Sequence, residues 1–144
     1  MTIRRRGTTF VELLLTLAVL GILTSITMPR AVSLVDRISV KGATQDVVLA
    51  LAAARAAASR RGAYVSFIAD PRTGRIRVVT GGETILDRNV GRMRGVRLEA
   101  SRESVTFAPS GLGWGAANTT VVVSRGARSD TIVMSRLGRV REAW

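Results

Sequence analysis

Residues 4–29 read RRRGTTFVELLLTLAVLGILTSITMP, so three arginines stand directly before a long apolar stretch. Between Phe10 and Met28 there are 19 residues, and the only charged side chain among them is that of Glu12. A helix rises about 1.5 Å per residue, so this length covers roughly the 30 Å hydrocarbon core of a bilayer. The stretch therefore predicts a helix that crosses a membrane once.

The charges around this stretch bear on its orientation. The arginines before it favour a cytoplasmic N-terminus, although Arg30, Arg37 and Lys41 beyond it weaken that argument. A cleaved secretory signal would share the basic start, but the SITM that precedes Pro29 is a poor small-residue cleavage site. A carboxylate inside such a stretch costs about 2.5 to 3.5 kcal/mol at a helix centre and less towards an end, so it usually has a partner.

Three residues of the stretch, Gly7, Glu12 and Pro29, are spaced as in a known type of leader sequence. RRRG, TTFVE and LLLTLAVLGILTSITMP together resemble the class III leader of type IV pilins and type II secretion pseudopilins. In that leader a short basic segment ends in Gly, and Glu and Pro stand fifth and twenty-second after the cut. With cleavage between Gly7 and Thr8, Glu12 becomes the fifth mature residue and Pro29 the twenty-second.

The resemblance implies a leader of residues 1–7, followed by a transmembrane and assembly helix over residues 8–29. It also implies that a prepilin peptidase and methyltransferase cuts after Gly7 and methylates the new amine of Thr8. Glu12 would face the charged N-terminus of a neighbouring pilin in a filament, so that two buried charges compensate one another. The alternative is an ordinary single-span anchor with a chance glutamate.

Beyond the apolar stretch the helical pattern continues. Pro29 lacks a backbone donor and crowds the preceding turn, which predicts a kink. One helical face then carries small and apolar residues, and Arg60, Arg61 and Gly62 give a basic last turn and a stop. The helix is therefore predicted from about Thr9 to Arg61, with residues 30–62 as its periplasmic half. The face consists of Val40, Val47, Leu51, Ala54 and Ala58.

After Gly62 the apolar period changes to two and turn residues recur, as in all-β segments. A hairpin is predicted around DPRTGR, with Pro71 and Gly74 in its turn, and RGARSD supplies a second turn. Residues 63–144 are thus predicted to form an antiparallel β domain that covers the second half of the helix. The candidate strands are residues 63–69, 75–80, 83–87, 95–100, 103–108, 118–124 and 131–135.

The C-terminal part carries a second resemblance. VTFAPSGLGWGAANTTVVVS followed by DTIVMSRLGRVREAW is similar to the end of the GspH/FimT group of minor pseudopilins. The implied fold class is α+β and pilin-like: a long N-terminal helix, transmembrane in its first half, packed on an antiparallel sheet or sandwich. The implied role is a structural subunit of a pilus or secretion pseudopilus, anchored in the inner membrane with its C-terminal domain in the periplasm.

The charge of the chain raises a second possible role. The net charge is +12, carried by 21 arginines and Lys41 against 10 carboxylates, which reflects either composition or an attraction to polyanions. In GRVR, Arg139 and Arg141 would share one side of an extended segment. Arg136, Arg125 and Arg128 could join them in a phosphate-binding patch. Some FimT-like proteins bind double-stranded DNA in natural transformation through such a tail. The alternative is that these side chains are solvated or paired with Glu142 and Asp130.

The tryptophans and the absence of two residue types also bear on function. Trp114 and the terminal Trp144 either pack on the domain's own core or contact a base or a neighbouring subunit. The chain contains no cysteine and no histidine, which excludes thiolate nucleophiles, Cys/His zinc sites and the usual general base. The sequence predicts no enzymatic activity, no cofactor and no metal.

Overall fold

The structure, a computed structural model, describes residues 9–143. The predicted leader, the cleavage site at Gly7 and Thr8, and Trp144 lie outside the described residues. The first element, α1, runs over Phe10–Arg61 and continues through Pro29. Gly62 follows with φ +60°, and the backbone N–H of Ala63 donates to the carbonyl of Ala58 at 3.3 Å. This left-handed glycine closes the helix where the basic last turn and Gly62 predicted its end.

The chain divides into two compact units, and the boundary falls within α1. The first unit ends at Leu34 and the second begins at Val35. The second unit contains the later part of α1 and every strand of the described chain. The folded domain therefore includes a helical segment that starts well before the first strand.

The strands form two antiparallel sheets. The elements after α1 are β1 (Val65–Asp70), β2 (Arg75–Thr80), β3 (Glu83–Asn89), α2 (Val90–Arg94), β4 (Arg97–Ala100), β5 (Ser104–Phe107), β6 (Gly113–Trp114), β7 (Thr119–Arg125), β8 (Arg128–Met134) and β9 (Val140–Ala143). The first sheet has five strands in the order β3-β2-β1-β5-β6, and the second has four in the order β4-β7-β8-β9. The seven predicted strands are confirmed, while β6, β9 and the short helix α2 are additions to the prediction. The turn predicted at RGARSD is shorter than expected, because β7 and β8 extend into it and leave only Gly126 and Ala127 between them.

One hydrophobic core joins the folded half of α1 to both sheets. The predicted helical face is buried throughout, which confirms that prediction. The buried residues of the strands alternate with half-buried or exposed ones, as the period of two requires. The largest fully buried side chains are Phe67, Phe107, Leu51, Ile76, Leu98, Ile132 and Met134.

The β1–β2 hairpin has the turn that DPRTGR predicted. The Asp70 carboxylate accepts from the backbone N–H of Arg72 at 2.9 Å and from the Thr73 hydroxyl at 2.7 Å. The Thr73 hydrogen bond contributes most to lowering the pKa of Asp70 below its ordinary value. Gly74 has φ +64°, and a Cβ there would lie 2.7 Å from the Cα of Gly91 in α2. Glycine is therefore required at position 74 both by the backbone angle and by this close approach.

Ion pairs connect the folded half of α1 to the sheets. Asp46, only 7% exposed, pairs with Arg88 of β3 at 2.8 Å and with Arg94 of α2 at 3.1 Å. Lys41 pairs with Glu142 of β9. Because each pair joins residues far apart in sequence, these contacts fix the helix against the β segments.

Candidate assembly and binding surfaces

The first half of α1 presents apolar side chains on all sides. Its 18-residue apolar window is long enough to cross a membrane by length and composition, and none of it is buried within the chain. Burying such side chains is worth roughly 1.5 to 3 kcal/mol each, so this surface requires lipid or other protein around it. The exposed large side chains include Phe10, Val11, Leu13, Leu14, Leu15, Leu17, Val19, Leu20, Ile22, Leu23 and Met28.

Hydroxyl groups on this segment are satisfied by the helix itself. Thr16 donates to the carbonyl of Leu13 at 2.9 Å, and Thr24 donates to that of Leu20 at 2.7 Å. Ser25 and Thr27 make equivalent bonds to carbonyls three and four residues earlier. A polar group without a partner is expensive in hydrocarbon, so this internal bonding suits a lipid environment.

Glu12 lies in the first turn of α1, three residues after Thr9. The hydroxyl of Thr9 accepts a hydrogen bond from the backbone N–H of Glu12 at 3.3 Å, so Thr9 acts as the N-cap. The sequence TTFVE thus carries the Thr-x-x-Glu pattern of a capping box, a signal that the sequence reasoning missed. The Glu12 side chain is exposed, and the ion pairs found in residues 9–143 do not include it.

The predicted basic tail does not form one set of five arginines with equal roles. Arg125 is half-buried: its Nε donates to Asp36 Oδ1 at 2.9 Å and its Nη1 to the carbonyl of Arg94 at 2.6 Å. It also donates to Ser39 at 3.1 Å, so the guanidinium ties β7 to α1 and α2. This part of the predicted patch is engaged inside the domain.

The other four arginines of the tail are exposed. Arg139 and Arg141 border one groove of about 390 Å³, together with Val133, Ser135 and Leu137. The acids proposed as their partners are used elsewhere, since Glu142 pairs with Lys41 and Asp130 accepts from Thr44 at 3.2 Å. In the part of the chain that the structure describes, the ion pairs found include none of Arg128, Arg136, Arg139 and Arg141.

Trp114 lies on the surface, not in the core. It is 60% exposed, and its ring meets that of Tyr64 edge to face with centroids 5.2 Å apart. Tyr64 is itself 49% exposed. The more frequent fate of such a residue, packing on its own core, is therefore not the one found here, and the pair forms an aromatic patch at the β6 edge of the first sheet.

Comparisons with known proteins agree with this architecture. A family model described as "Type II transport protein GspH" matches residues 43–138. No curated protein matches the sequence. Among solved structures, the type IV minor pilin FimU of Pseudomonas aeruginosa is similar with a TM-score of 0.62 at 16% identity, covering 73% of this chain and 88% of that one. The minor pseudopilin EpsH of the Type 2 Secretion System of Vibrio cholerae has a TM-score of 0.60 at 14% identity, covering 73% and 96%. At these identities the two structures show a shared fold.

Proposed function

The chain belongs to the GspH family of type II transport proteins, and from this premise we propose that it is a minor pilin or pseudopilin. It serves as a structural subunit of a type IV pilus or a type II secretion pseudopilus, in the complex at the tip that primes assembly. The observation that carries the proposal is the contrast within α1. One half packs on a pilin-like β domain, while the other half is an apolar surface that the chain itself leaves uncovered.

In the proposed mechanism, the apolar half of α1 moves from the lipid of the membrane into contacts with the helices of other subunits. Residues 8–29 lie in the inner membrane after insertion, with the N-terminus in the cytoplasm and the β domain in the periplasm. A prepilin peptidase removes residues 1–7, and the amine of Thr8 is methylated. On assembly the helix leaves lipid and packs among the helices of other subunits, while the β domain faces outward.

Glu12 favours the assembled state over the membrane-inserted state. A carboxylate in hydrocarbon is costly, and the positive N-terminus of a neighbouring subunit would neutralise it at close range. The capping position found for Glu12 offers a local role as well, because a negative charge favours the first turn of a helix. The two roles can be separated, because Glu12→Gln removes the charge and leaves the hydrogen bond from the backbone N–H of residue 12 to the Thr9 hydroxyl in place.

The test compares two variants that separate these roles. Glu12→Gln removes the charge, whereas Thr9→Ala removes the cap and leaves the charge in place. We expect Glu12→Gln to insert and be processed normally but to be lost from sheared filaments, and Thr9→Ala to be recruited as the unchanged chain is. Normal recruitment of Glu12→Gln would contradict the charge mechanism. Mass spectrometry of the membrane form tests processing, because a chain that still begins at Met1 would refute the leader.

We propose no catalytic role for the chain. In residues 9–143 no group of three or more His, Cys, Asp and Glu side chains could hold a metal ion. The serines have no histidine to activate them, since the sequence contains none. A purely structural subunit accounts for the features described.

A second candidate function is the binding of double-stranded DNA by the C-terminal tail during DNA uptake. The observation that favours it is the exposed pair Arg139 and Arg141 at one groove, with the neighbouring acids engaged elsewhere. Guanidinium groups that neutralise phosphates release counterions, so such binding weakens steeply as salt rises.

A gel shift with the full chain in detergent at two salt concentrations tests this candidate. We expect Arg139→Ala with Arg141→Ala to weaken binding and to reduce its salt dependence. Arg72→Ala with Arg97→Ala is the matched control, because it removes the same charge from exposed positions elsewhere. Equal effects of the two double variants would show that only total charge matters, and the tail would then have no special role.

A further inference from the structure

Three segments of the folded domain meet at the residues where its part of α1 begins. Arg125, at the end of β7, donates to Asp36 and Ser39 of α1 and to the carbonyl of Arg94 at the end of α2. The β7–β8 turn follows directly, and a Cβ on Gly126 would lie 2.5 Å from the Asp36 carboxylate. The turn and α2 are therefore held beside the first residues of the domain's helix.

This end of the domain carries exposed positive charge. Arg37 of α1, Arg92 of α2 and Arg128 at the start of β8 are all exposed. None of them takes part in the ion pairs found in the described chain. Arg37 and Arg128 also border a groove of about 510 Å³ with Val40, Lys41, Ser129 and Asp130. We call Arg37, Arg92 and Arg128, together with Met93, the basal cluster.

Most of the acids near these arginines pair with other cations. Asp36 pairs with Arg125, Asp46 with Arg88 and Arg94, and Glu142 with Lys41. Asp130 accepts from the hydroxyl of Thr44, which leaves its charge in the groove with Arg37 and Arg128. Three arginines against this carboxylate leave the surface with a positive excess.

An exposed apolar side chain lies next to Arg92 in the sequence. Met93 lies between Arg92 and Arg94 in sequence and is 67% exposed. Exposed apolar side chains flanked by Lys or Arg are typical of surfaces that lie in a membrane interface, where the side chain enters the boundary and the cations meet headgroups. Rigid double-stranded DNA offers no apolar phase for such a residue.

Few residues separate the cluster from the apolar stretch. Arg37 follows Met28, the last residue of that stretch, by nine residues. Nine residues of chain span at most about 32 Å even when fully extended, so anchoring by residues 10–28 keeps Arg37 within that distance of the hydrocarbon core.

We propose that the basal cluster binds the headgroups of anionic phospholipids in the membrane that anchors the chain, and so holds the domain against the lipid surface before assembly. The proposal rests on the membrane anchoring proposed above. Each arginine near an anionic surface contributes about a fivefold change in the bound population. Release of these contacts would accompany the withdrawal of the helix into a filament.

The test uses the full chain in nanodiscs with a single spin label. Because the chain has no cysteine, Ala127→Cys in the β7–β8 turn and Thr84→Cys in β3 each give one labelling site on an exposed residue. The discs contain either phosphatidylcholine alone or phosphatidylcholine with phosphatidylglycerol. The measurement is the accessibility of the label to a water-soluble nickel chelate.

We expect the anionic discs to protect the label at position 127 and not the label at position 84. Arg37→Gln, Arg92→Gln and Arg128→Gln together should abolish that protection. The control, Arg60→Gln, Arg77→Gln and Arg102→Gln, removes the same charge from other exposed positions and should leave it unchanged.

Each other outcome overturns the proposal in a recognisable way. Equal accessibility at both labels, or protection that is independent of phosphatidylglycerol, excludes headgroup binding while the anchor stands. A chain that enters neither kind of disc refutes the anchor, and the headgroup proposal falls with it. Protection of position 127 by added duplex DNA but not by anionic lipid identifies the cluster as a nucleic-acid surface instead.

Discussion

The two halves of α1 form a single helix in the secondary structure but have opposite surfaces. From Phe10 to Leu34 the helix is rich in leucine, and its apolar side chains are exposed. From Val35 to Arg61 it is rich in alanine, and one face of it is fully buried against the sheets. The half with the larger apolar side chains is thus the half that the chain does not cover.

Side-chain size explains this difference. Alanine has high helix propensity and lets a helix approach a sheet closely, so Ala43, Ala54 and Ala58 can be buried completely. Leucine gives more apolar area per residue, which favours transfer into lipid or into a bundle of other helices. The first half is therefore built for surroundings outside the chain, and the second half is built for the chain's own domain. Matched substitutions, most of them pairing a position in the folded domain with one in the first half of α1, test this comparison.

The largest contrast is expected between two phenylalanines. Phe67 is 1% exposed in β1, and Phe10 is 75% exposed at the start of α1. Phe67→Ala should destabilise the domain by about 4 kcal/mol through lost burial and a cavity. Phe10→Ala should leave domain unfolding unchanged. Denaturant titration in detergent, followed by tryptophan fluorescence, measures both, and an equal loss from Phe10→Ala would break the comparison.

Two glycines should respond to alanine in opposite ways. Gly74→Ala meets both a φ of +64° and the backbone of Gly91, and should cost about 3 kcal/mol of domain stability. A Cβ on Gly21 meets nothing within 4 Å, and alanine favours the helix. Gly21→Ala should therefore not destabilise the monomer. If Gly21→Ala is inserted normally but lost from filaments, position 21 is a contact between subunits, which would sharpen the comparison.

A buried carboxylate in the folded half should matter more than an exposed one. Asp46→Asn leaves Arg88 and Arg94 without their shared charge and should cost about 2 kcal/mol, less than a fully buried pair because both arginines reach solvent. Asp87→Asn, at the exposed pair with Arg75, should change stability by less than about 0.5 kcal/mol. Thermal unfolding of the two variants makes the comparison directly, and equal losses would contradict the role of burial.

The smallest effect is expected from acid. The hydrogen bond from Arg61 lowers the pKa of Glu83, and the same contact raises the pKa of Arg61. A lowered folded-state pKa means that this stabilisation is complete above the unfolded value of about 4.3 and is lost as pH falls through the folded value. The melting temperatures of the unchanged chain and Glu83→Gln should therefore converge as the pH falls from about 4.3 through the lowered pKa of Glu83. A difference that does not change with pH would assign the effect to packing.

The sequence predicted the helix, its buried face and the main strands because each depends on local periodicity and turn chemistry. It did not predict α2, although Asn89 caps it by accepting from the backbone N–H of Arg92 at 2.8 Å and Gly95 ends it with φ +63°. Five residues are too few for a helical period to be recognised. The strand β6 was not predicted either, because two residues are too few to show the alternation of a strand.

The contacts that define the candidate surfaces were less predictable. The engagement of Arg125 with Asp36 joins residues 89 positions apart, and the burial of Asp46 depends on two arginines from different elements. Such pairs follow from the order of strands in each sheet, which alternation of apolar residues does not determine. The exposure of Trp114 is a further case, since a tryptophan between glycines is compatible with either surface or core.

The outer strands of the two sheets differ in how much backbone they offer to another chain. β6 has two residues, and β4 and β9 have four each, whereas β3, the other outer strand of the first sheet, has seven. Short outer strands give foreign strands little backbone to pair with, so unwanted sheet-to-sheet association between crowded copies would have to use β3.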